Sequence, residues 1–156
     1  MHNGTTGLRT ETQFSVFLVN KPGVLSRVVH ALAHTNIIAM SMMDSSDHGV
    51  LRVVADKPGS VREAVGSLQL QMSESPVLCA TLPNRPGALA DVVERLSDAH
   101  IDVNYAYCTT GAKGGKTTGI FKVGNTRKAM QVLSERKPKR LTAKSPRTGR
   151  RIARSA

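Results

Sequence analysis

The stretch that decides the fold is NKPGVLSRVV at positions 20–29, because it returns as NRPGALADVV at positions 84–93. The same offset of 64 positions aligns two further pairs, Leu32 with Leu96 and Ile37 with Ile101. A fixed internal offset indicates repeated structural units, and a solenoid needs three or more of them. Two copies therefore indicate a fused pair.

In both copies a β-rich run leads through the Asn-x-Pro-Gly turn into a helix. Residues 14–19 and 77–82 have the composition of short strands and end at the turn. Apolar residues then recur at helical spacing, at positions 25, 28, 29 and 32 and again at 89, 92, 93 and 96. Pro22 and Pro86 lie at the start of this pattern, where a helix tolerates the missing N–H. The turns are therefore expected to open the helices.

The rest of each copy predicts a hairpin and a second helix. The predicted strands are 39–44 and 50–55 in the first copy, and 102–108 and 117–123 in the second. Helical faces follow at Val61, Ala64, Val65 and Leu68, and at Ala129, Met130 and Leu133. Residues 70–72 alternate like a closing strand for the first copy, and residues 74–76 alone separate it from the second. The second copy shows no such strand, so its last strand is short, supplied elsewhere or absent.

This element order is the βαββαβ pattern of ferredoxin-like folds. We therefore predict an α+β protein of two ferredoxin-like units whose antiparallel sheets pack side by side, because the connection is too short to hold them apart. The predicted organisation is a disordered or partly ordered segment 1–12, a first unit 13–73, a second unit 76–136 and a basic tail 137–156.

The net charge of +11 is concentrated at the C-terminus. Residues 136–156 hold nine of the 22 basic residues and none of the 11 acidic ones, which leaves +2 on residues 1–135. Low apolar content and repulsion between like charges predict disorder in this tail. Contact with a polyanion such as nucleic acid, with an acidic protein or with anionic lipid stays open, as does a purely solubilising role.

Composition excludes several classes of protein. No apolar run reaches the roughly 18 residues that a membrane span needs, and residues 1–13 lack the apolar core of a secretion signal. Cys79 and Cys108 lie far apart in strand-like runs, which favours buried apolar thiols over a disulfide. A cytoplasmic location fits these features.

At the Asn-x-Pro-Gly-x-Leu turns the chain resembles the ACT family of regulatory domains, over about residues 14–136. The resemblance implies βαββαβ domains that pair into a continuous sheet and bind small effectors, most often amino acids, to regulate metabolic enzymes. The sequence itself offers no recognisable catalytic arrangement, and we expect no metal and no cofactor. The ligand-contacting residues that the resemblance implies are Asn20, Lys21, Pro22, Gly23, Val24 and Leu25 in the first unit, and Asn84, Arg85, Pro86, Gly87, Ala88 and Leu89 in the second. Asp102 could add an acceptor for an ammonium group.

Physical chemistry supports a ligand at these turns. The first N–H groups of a helix and its dipole favour an anion such as an α-carboxylate. Gly23 and Gly87 lack the Cβ that would block close approach, and Asn20 and Asn84 offer both a carbonyl oxygen and an NH₂ group. The alternative is that each Asn caps a helix and binds nothing.

The sequence departs from the amino-acid-binding members of the family at two places. Where many of them carry a second Asn after the first helix, this chain has Ile38 and Asp102, so the two sites are expected to be unequal. Where some serine-sensing members have His, this chain has Leu18 and Leu82, which gives no reason to assign serine.

Other patterns favour structural interpretations. Residues 111–117 lack the glycine spacing of a phosphate-binding loop, and a strand follows where that loop requires a helix. His30 and His34 are more typical of a solvated helix face than of a metal site, and the methionines of core filler. Tyr105 and Tyr107 share a strand face and could stack on RNA bases, although interleaved basic residues are missing.

These features predict a regulatory protein without catalysis of its own, which binds an amino-acid effector and acts through a homodimer or a partner metabolic enzyme. One alternative is the small regulatory subunit of acetolactate synthase or of a related biosynthetic enzyme. The other is a nucleic-acid-binding protein that acts through its basic tail.

Overall fold

The computed structural model describes residues 6–45, 47–110 and 115–135, in which it has one six-stranded sheet and four helices. The strands are β1 (Thr6–Val19), β2 (Ile37–Ser45), β3 (His48–Ala55), β4 (Met72–Pro83), β5 (Val103–Thr110) and β6 (Lys116–Val123). The helices are α1 (Val24–Ala31), α2 (Pro58–Ser67), α3 (Ala88–Asp98) and α4 (Thr126–Ser134). Every neighbouring pair in the strand order β2-β3-β1-β4-β6-β5 is antiparallel.

Two long strands, β1 and β4, form the centre of the sheet. They pair antiparallel with Thr12 opposite Pro76, and the repeat offset of 64 maps each of these positions onto the other. A pseudo-twofold axis therefore passes between Thr12 and Pro76. The predicted pair of ferredoxin-like units is confirmed, and they share one sheet.

Each long strand serves both units. Residues 72–76 of β4 pair with residues 12–16 of β1 and close the first unit, and residues 77–83 open the second. The expectation that residues 74–76 separate two strands is wrong, because these residues lie inside one continuous strand. The closing strand of the second unit is supplied from elsewhere, namely by residues 6–12 of β1, which fall in the segment expected to be disordered or partly ordered.

All four helices cover one face of the sheet. Phe14, Val16 and Leu18 of β1 pack under α1 and α2, and Leu78, Ala80 and Leu82 of β4 pack under α3 and α4. The strand register puts both sets on the same face. Leu78 lies opposite Thr10, and Thr10 and Phe14 point to the same face because they are an even number of residues apart on β1. Burying these side chains drives the formation of two adjacent cores.

The helix-free face is curved, so that the edge strands β2 and β5 approach each other across it. Gln13 of β1 is fully buried there and lies between two side chains of β5. Gln13 Nε2 donates to the Tyr105 hydroxyl at 2.6 Å, and the Tyr107 hydroxyl donates to Gln13 Oε1 at 2.9 Å. Burial raises the pKa of the Tyr107 hydroxyl. A satisfied polar network thus joins the two units across this face.

The two cysteines are free, and they differ in exposure. Cys79 is buried on the helix-free face of the central strand β4, and burial raises the pKa of its thiol. Cys108 is exposed, so the expectation of a second buried thiol is wrong. It lies on the edge strand β5, which has a neighbouring strand on one side alone.

The repeat offset increases after the first helix of each unit. Ala39 lies opposite Val54, and Tyr105 lies opposite Lys122, at corresponding places in the two hairpins. The offset is therefore 66 for the strand after the first helix, so Ile37 corresponds to Val103 and Ile38 to Asn104. The sequence alignment of Ile37 with Ile101, and of Ile38 with Asp102, is wrong by two residues because α3 is longer than α1.

Removal of residues 1–12 should destabilise the whole chain, because the second unit would lose its closing strand. At about 1 kcal/mol per net hydrogen bond, together with the packing of Leu8, the free energy of unfolding should fall by about 3 kcal/mol or more. Removal of residues 137–156 should change the melting temperature little, because that segment has little apolar surface to bury. Urea denaturation of both truncated chains measures the difference. Equal stabilities would contradict the assignment of the closing strand.

Tyr107→Phe should lower the free energy of unfolding by about 1–3 kcal/mol, because it leaves the buried Gln13 carbonyl without its donor. The double variant Gln13→Leu/Tyr107→Phe is the control, and it should lose less than the sum of the single variants. Additive losses in urea denaturation would show that the two side chains do not act as a pair.

Candidate effector-binding site

The two Asn-x-Pro-Gly turns have the same backbone geometry. Gly23 has φ 86° and ψ −16°, and Gly87 has φ 83° and ψ −14°. This left-handed conformation favours glycine, because a Cβ would clash with the backbone. Helix α1 begins directly after Gly23 and α3 directly after Gly87, which confirms that the turns open the helices.

Each turn is stabilised by a backbone hydrogen bond between residues two positions apart. Lys21 N–H donates to the carbonyl two residues before it at 2.8 Å, and Arg85 N–H does the same at 2.9 Å. The hairpins support the asparagines: Asn20 N–H donates to Asp47 O at 3.2 Å, and Asn84 N–H donates to Gly115 O at 3.0 Å. Each turn therefore lies between a helix start and the tip of the neighbouring hairpin.

In the first unit a carboxylate stands beside the turn. Asn20 Nδ2 donates to Asp44 Oδ1 at 2.5 Å, which ties the amide to β2. Gly49 leaves the room for this arrangement, since a Cβ there would lie 3.1 Å from Asn20 Oδ1 and 2.9 Å from Met42 Cε. The negative charge of Asp44 disfavours an α-carboxylate at this turn. Sequence reasoning missed Asp44, because its contact crosses from one strand to another.

In the second unit the corresponding strand position is Thr110, since Thr110 pairs with Thr117 as Asp44 pairs with Gly49. The charged neighbours of this turn are instead Asp91, in the first turn of α3, and the guanidinium of Arg85. Its Nη2 lies 3.4 Å from Asp91 Oδ2, and both side chains are about half exposed. Such a surface ion pair is weak, so the guanidinium is available to an incoming anion.

Three of the expected ligand-contacting side chains serve the cores instead. Ala88 is buried among the residues under α3, and Val24 and Leu25 pack against the core of the first unit. Leu89, in the first turn of α3, is 46% exposed and can contact a ligand. Lys21, Pro22, Pro86 and the two glycines are exposed at the turns, where the sequence predicts them.

Asp102 does not meet Asn84 within one chain. It precedes β5, and its carbonyl accepts from Gly124 N–H after the end of β6, whereas Asn84 lies beside the start of β6. Eight strand residues separate these ends by roughly 23 Å. The expectation that Asn84 and Asp102 contact one ligand is therefore wrong for a single chain, because the two residues lie at opposite ends of α3 and β6.

The two turns lie at opposite ends of the sheet, because β1 and β4 are antiparallel. The Asn84 turn follows Thr81, which pairs with Thr6 of β1, so the N-terminal half of β1 flanks it. The Asn20 turn lies at the other end, where Phe17 N–H donates to Gln71 O at 2.9 Å.

A shallow groove of about 740 Å³ runs along α1 from Leu25 to Ile37.

The remaining sequence patterns do not add a site. Tyr105 and Tyr107 are engaged with Gln13, and Arg52 stacks on the Tyr105 ring at 4.1 Å, so these rings are not an open platform for bases. His30 and His34 are exposed. Across residues 6–45, 47–110 and 115–135 no group of three metal-ligating side chains comes together. Residues 111–114 and the basic tail lie outside the described residues.

No helix within the described part of the chain is long and apolar enough to cross a membrane.

Solved structures with the same fold include protein BT0572 from Bacteroides thetaiotaomicron, which is 28% identical with a TM-score of 0.74 and matches 81% of this chain and 88% of that one. The ligand-free regulatory subunit of aspartate kinase from Thermus thermophilus is 11% identical with a TM-score of 0.60, over 84% of this chain and 97% of that one. Aspartate kinase from Clostridium acetobutylicum is 12% identical with a TM-score of 0.52, over 86% of this chain and 35% of that one.

No curated protein matches the sequence. The family model described as an ACT domain pair matches residues 9–145, which is most of the chain. The chain belongs to the ACT domain-pair family, a family of regulatory domains.

Proposed function

We propose that this chain is a non-catalytic regulatory protein that binds a free amino acid at the Asn84 turn. The observation that carries the proposal is the glycine-opened start of α3, with Arg85 beside it and Thr110 in the place of the first unit's Asp44. Membership of the ACT domain-pair family supports a regulatory, effector-binding role. The signal passes to a partner metabolic enzyme or to a second copy of the chain.

The α-carboxylate would lie against the first N–H groups of α3, where the helix dipole and the Arg85 guanidinium both favour negative charge. The ammonium group would be held by the carbonyl oxygen of Asn84. The side chain of the amino acid would contact Leu89. Asp102 can share this ligand only as a residue of a second copy, which makes its contribution a test of dimerisation.

The first turn is proposed to bind more weakly. Asp44 accepts from Asn20 there and repels a carboxylate at the start of α1. One amino acid per chain is the expected stoichiometry.

The structure gives less support to the alternatives. In the small subunit of acetolactate synthase the second half follows a different pattern, whereas here both halves have the same fold. Nucleic-acid binding through residues 137–156 involves no described residue.

A thermal-shift panel of the twenty amino acids at millimolar concentration tests the proposal. A ligand at a hundred times its dissociation constant adds about 2.7 kcal/mol to stability, which raises the melting temperature by several degrees. Gly87→Ala should remove this shift, because its Cβ stands where the backbone meets the ligand.

Gly23→Ala is the matched control for that experiment. Both glycines have φ near 85°, so both variants should lose about 1–2 kcal/mol of stability. The Gly23 variant should nevertheless keep the ligand-induced shift. If no amino acid shifts the native chain, or if the Gly87 variant shifts as much, the turn is only the start of a helix.

Asp44→Asn should open the first turn to the same ligand, because it removes the negative charge and keeps a partner for Asn20. Isothermal titration calorimetry should then show two sites per chain in place of one. Two sites in the native chain would contradict the proposed inequality, and one site in the variant would show that Asp44 does not cause it.

A further inference from the structure

Arg52 of β3 lies on the helix-free face, directly between Ser15 of β1 and Ser41 of β2. Its guanidinium stacks on the Tyr105 ring at 4.1 Å, and its Nη1 lies 4.0 Å from the Met43 sulfur. The Nε–H is buried and has no hydrogen-bond partner among the residues that the structure describes. The Tyr105 ring thus holds the Arg52 guanidinium in place, and the Nε–H of Arg52 makes no hydrogen bond within the described residues.

The fold does not require a cation at this position. The pseudo-twofold axis maps Arg52 onto Ile120, which is fully buried in the second unit. An unpartnered buried donor is costly, whereas an apolar residue at the equivalent place costs nothing of this kind. The fold therefore does not dictate Arg52, and a guanidinium stacked on an aromatic ring still binds anions, carboxylates above all.

The surroundings of Arg52 also favour an anion. Ser15 Oγ accepts from Gln13 Nε2 at 3.3 Å, so its own O–H is left to donate. The charged strand residues of this face are basic with one exception, and that acid, Glu11, is paired with Arg9 at 2.5 Å. Lys122 donates to the Pro76 carbonyl, which leaves the positive charge of the face uncompensated.

An apolar row adjoins Arg52 on the same face. Phe17, Val50 and Met43 lie directly opposite one another on β1, β3 and β2, and Phe17 and Met43 are 42% and 53% exposed. The same row in the second unit consists of threonines, Thr81, Thr118 and Thr109. Phenylalanine, methionine and arginine are the residues enriched at protein interfaces. The open, half-exposed row suits a protein surface better than a small molecule, which needs an enclosed pocket.

We propose that Arg52 and the row Phe17–Val50–Met43 form a docking surface for a partner protein that presents a carboxylate side chain next to a large apolar one. The carboxylate binds the Arg52 guanidinium and the Ser15 hydroxyl, and the apolar side chain packs on Phe17 and Met43. This surface lies on the helix-free face, and its use does not depend on occupancy of the Asn84 turn.

The experiment is a selection of random twelve-residue peptides displayed on phage, with the full chain as target and Arg52→Ile as the counter-selection. The selected peptides should share an Asp or Glu within a few residues of Leu, Phe or Met. Fluorescence anisotropy of the best peptide should show about tenfold or weaker binding to Arg52→Ile and to Phe17→Thr/Met43→Thr. Each substitution introduces the residue found at the equivalent position of the second unit, namely Ile120, Thr81 or Thr109, so the fold is expected to accommodate it.

Matched controls separate docking from general charge effects. Arg127→Ile removes the same charge from α4 on the helix side, and it should bind the peptide as the native chain does. Arg52→Lys keeps the charge without the planar guanidinium and should bind with intermediate strength. The peptide with Asn or Gln in place of its acid should not bind. Arg52→Ile should keep any amino-acid-induced thermal shift, so failure of one proposal is distinguishable from failure of the other.

Peptides without a shared acid, or peptides that bind Arg52→Ile as tightly as the native chain, would overturn the proposal. Sedimentation of the native chain and of the Phe17→Thr/Met43→Thr variant measures whether each is a monomer or a dimer. If the native chain is a dimer and the variant a monomer, the face is occupied by a second copy, and the docking of a different protein is rejected.

Discussion

The antiparallel pairing of β1 with β4 is the constraint on which the rest of the structure depends. Each of these strands opens one unit and closes the other, around a pseudo-twofold axis between Thr12 and Pro76. Neither four-stranded sheet is complete without a strand segment that it shares with its neighbour. The two units therefore cannot fold as separate beads, and their relative orientation is set by the same hydrogen bonds that stabilise each of them.

The shared strands also determine how the candidate sites relate. The second turn lies next to residues 6–12 of β1, and the other half of that strand leads into the Asn20 turn. The buried Gln13 stands between the halves and bonds to two tyrosines of β5. This network fixes the position of β5 relative to β1, because breaking one of its hydrogen bonds leaves a polar group buried.

Much of the fold could be predicted from the sequence, because the repeated turn combines strong local signals at one fixed offset. The closing strand of the second unit could not be predicted, since residues 6–12 contain a single large apolar side chain, Leu8, and read as polar. That segment is a strand because β4 offers it a partner. The offset likewise shifts by two residues after the longer α3. The sequence comparison therefore aligned Asp102 with Ile38, although Asn104 is the residue that corresponds to Ile38. The exposure of Cys108 depends on its position at a sheet edge, which local pattern does not encode.

Internal pseudo-symmetry gives a way to separate residues that the fold needs from residues that it merely tolerates. Gly23 and Gly87 are matched because the same left-handed turn must be made twice. Asp44 and Thr110 share one backbone position, and so do Arg52 and Ile120, yet they differ in charge. Since one backbone position accommodates both members of each pair, folding does not dictate the charged one. The chemistry that distinguishes the units is therefore concentrated on two surfaces of the first, the Asn20 turn and the helix-free face. The second unit keeps the turn with Thr110 in the place of Asp44, and the acid in the first turn of its helix, Asp91, is paired with Arg85.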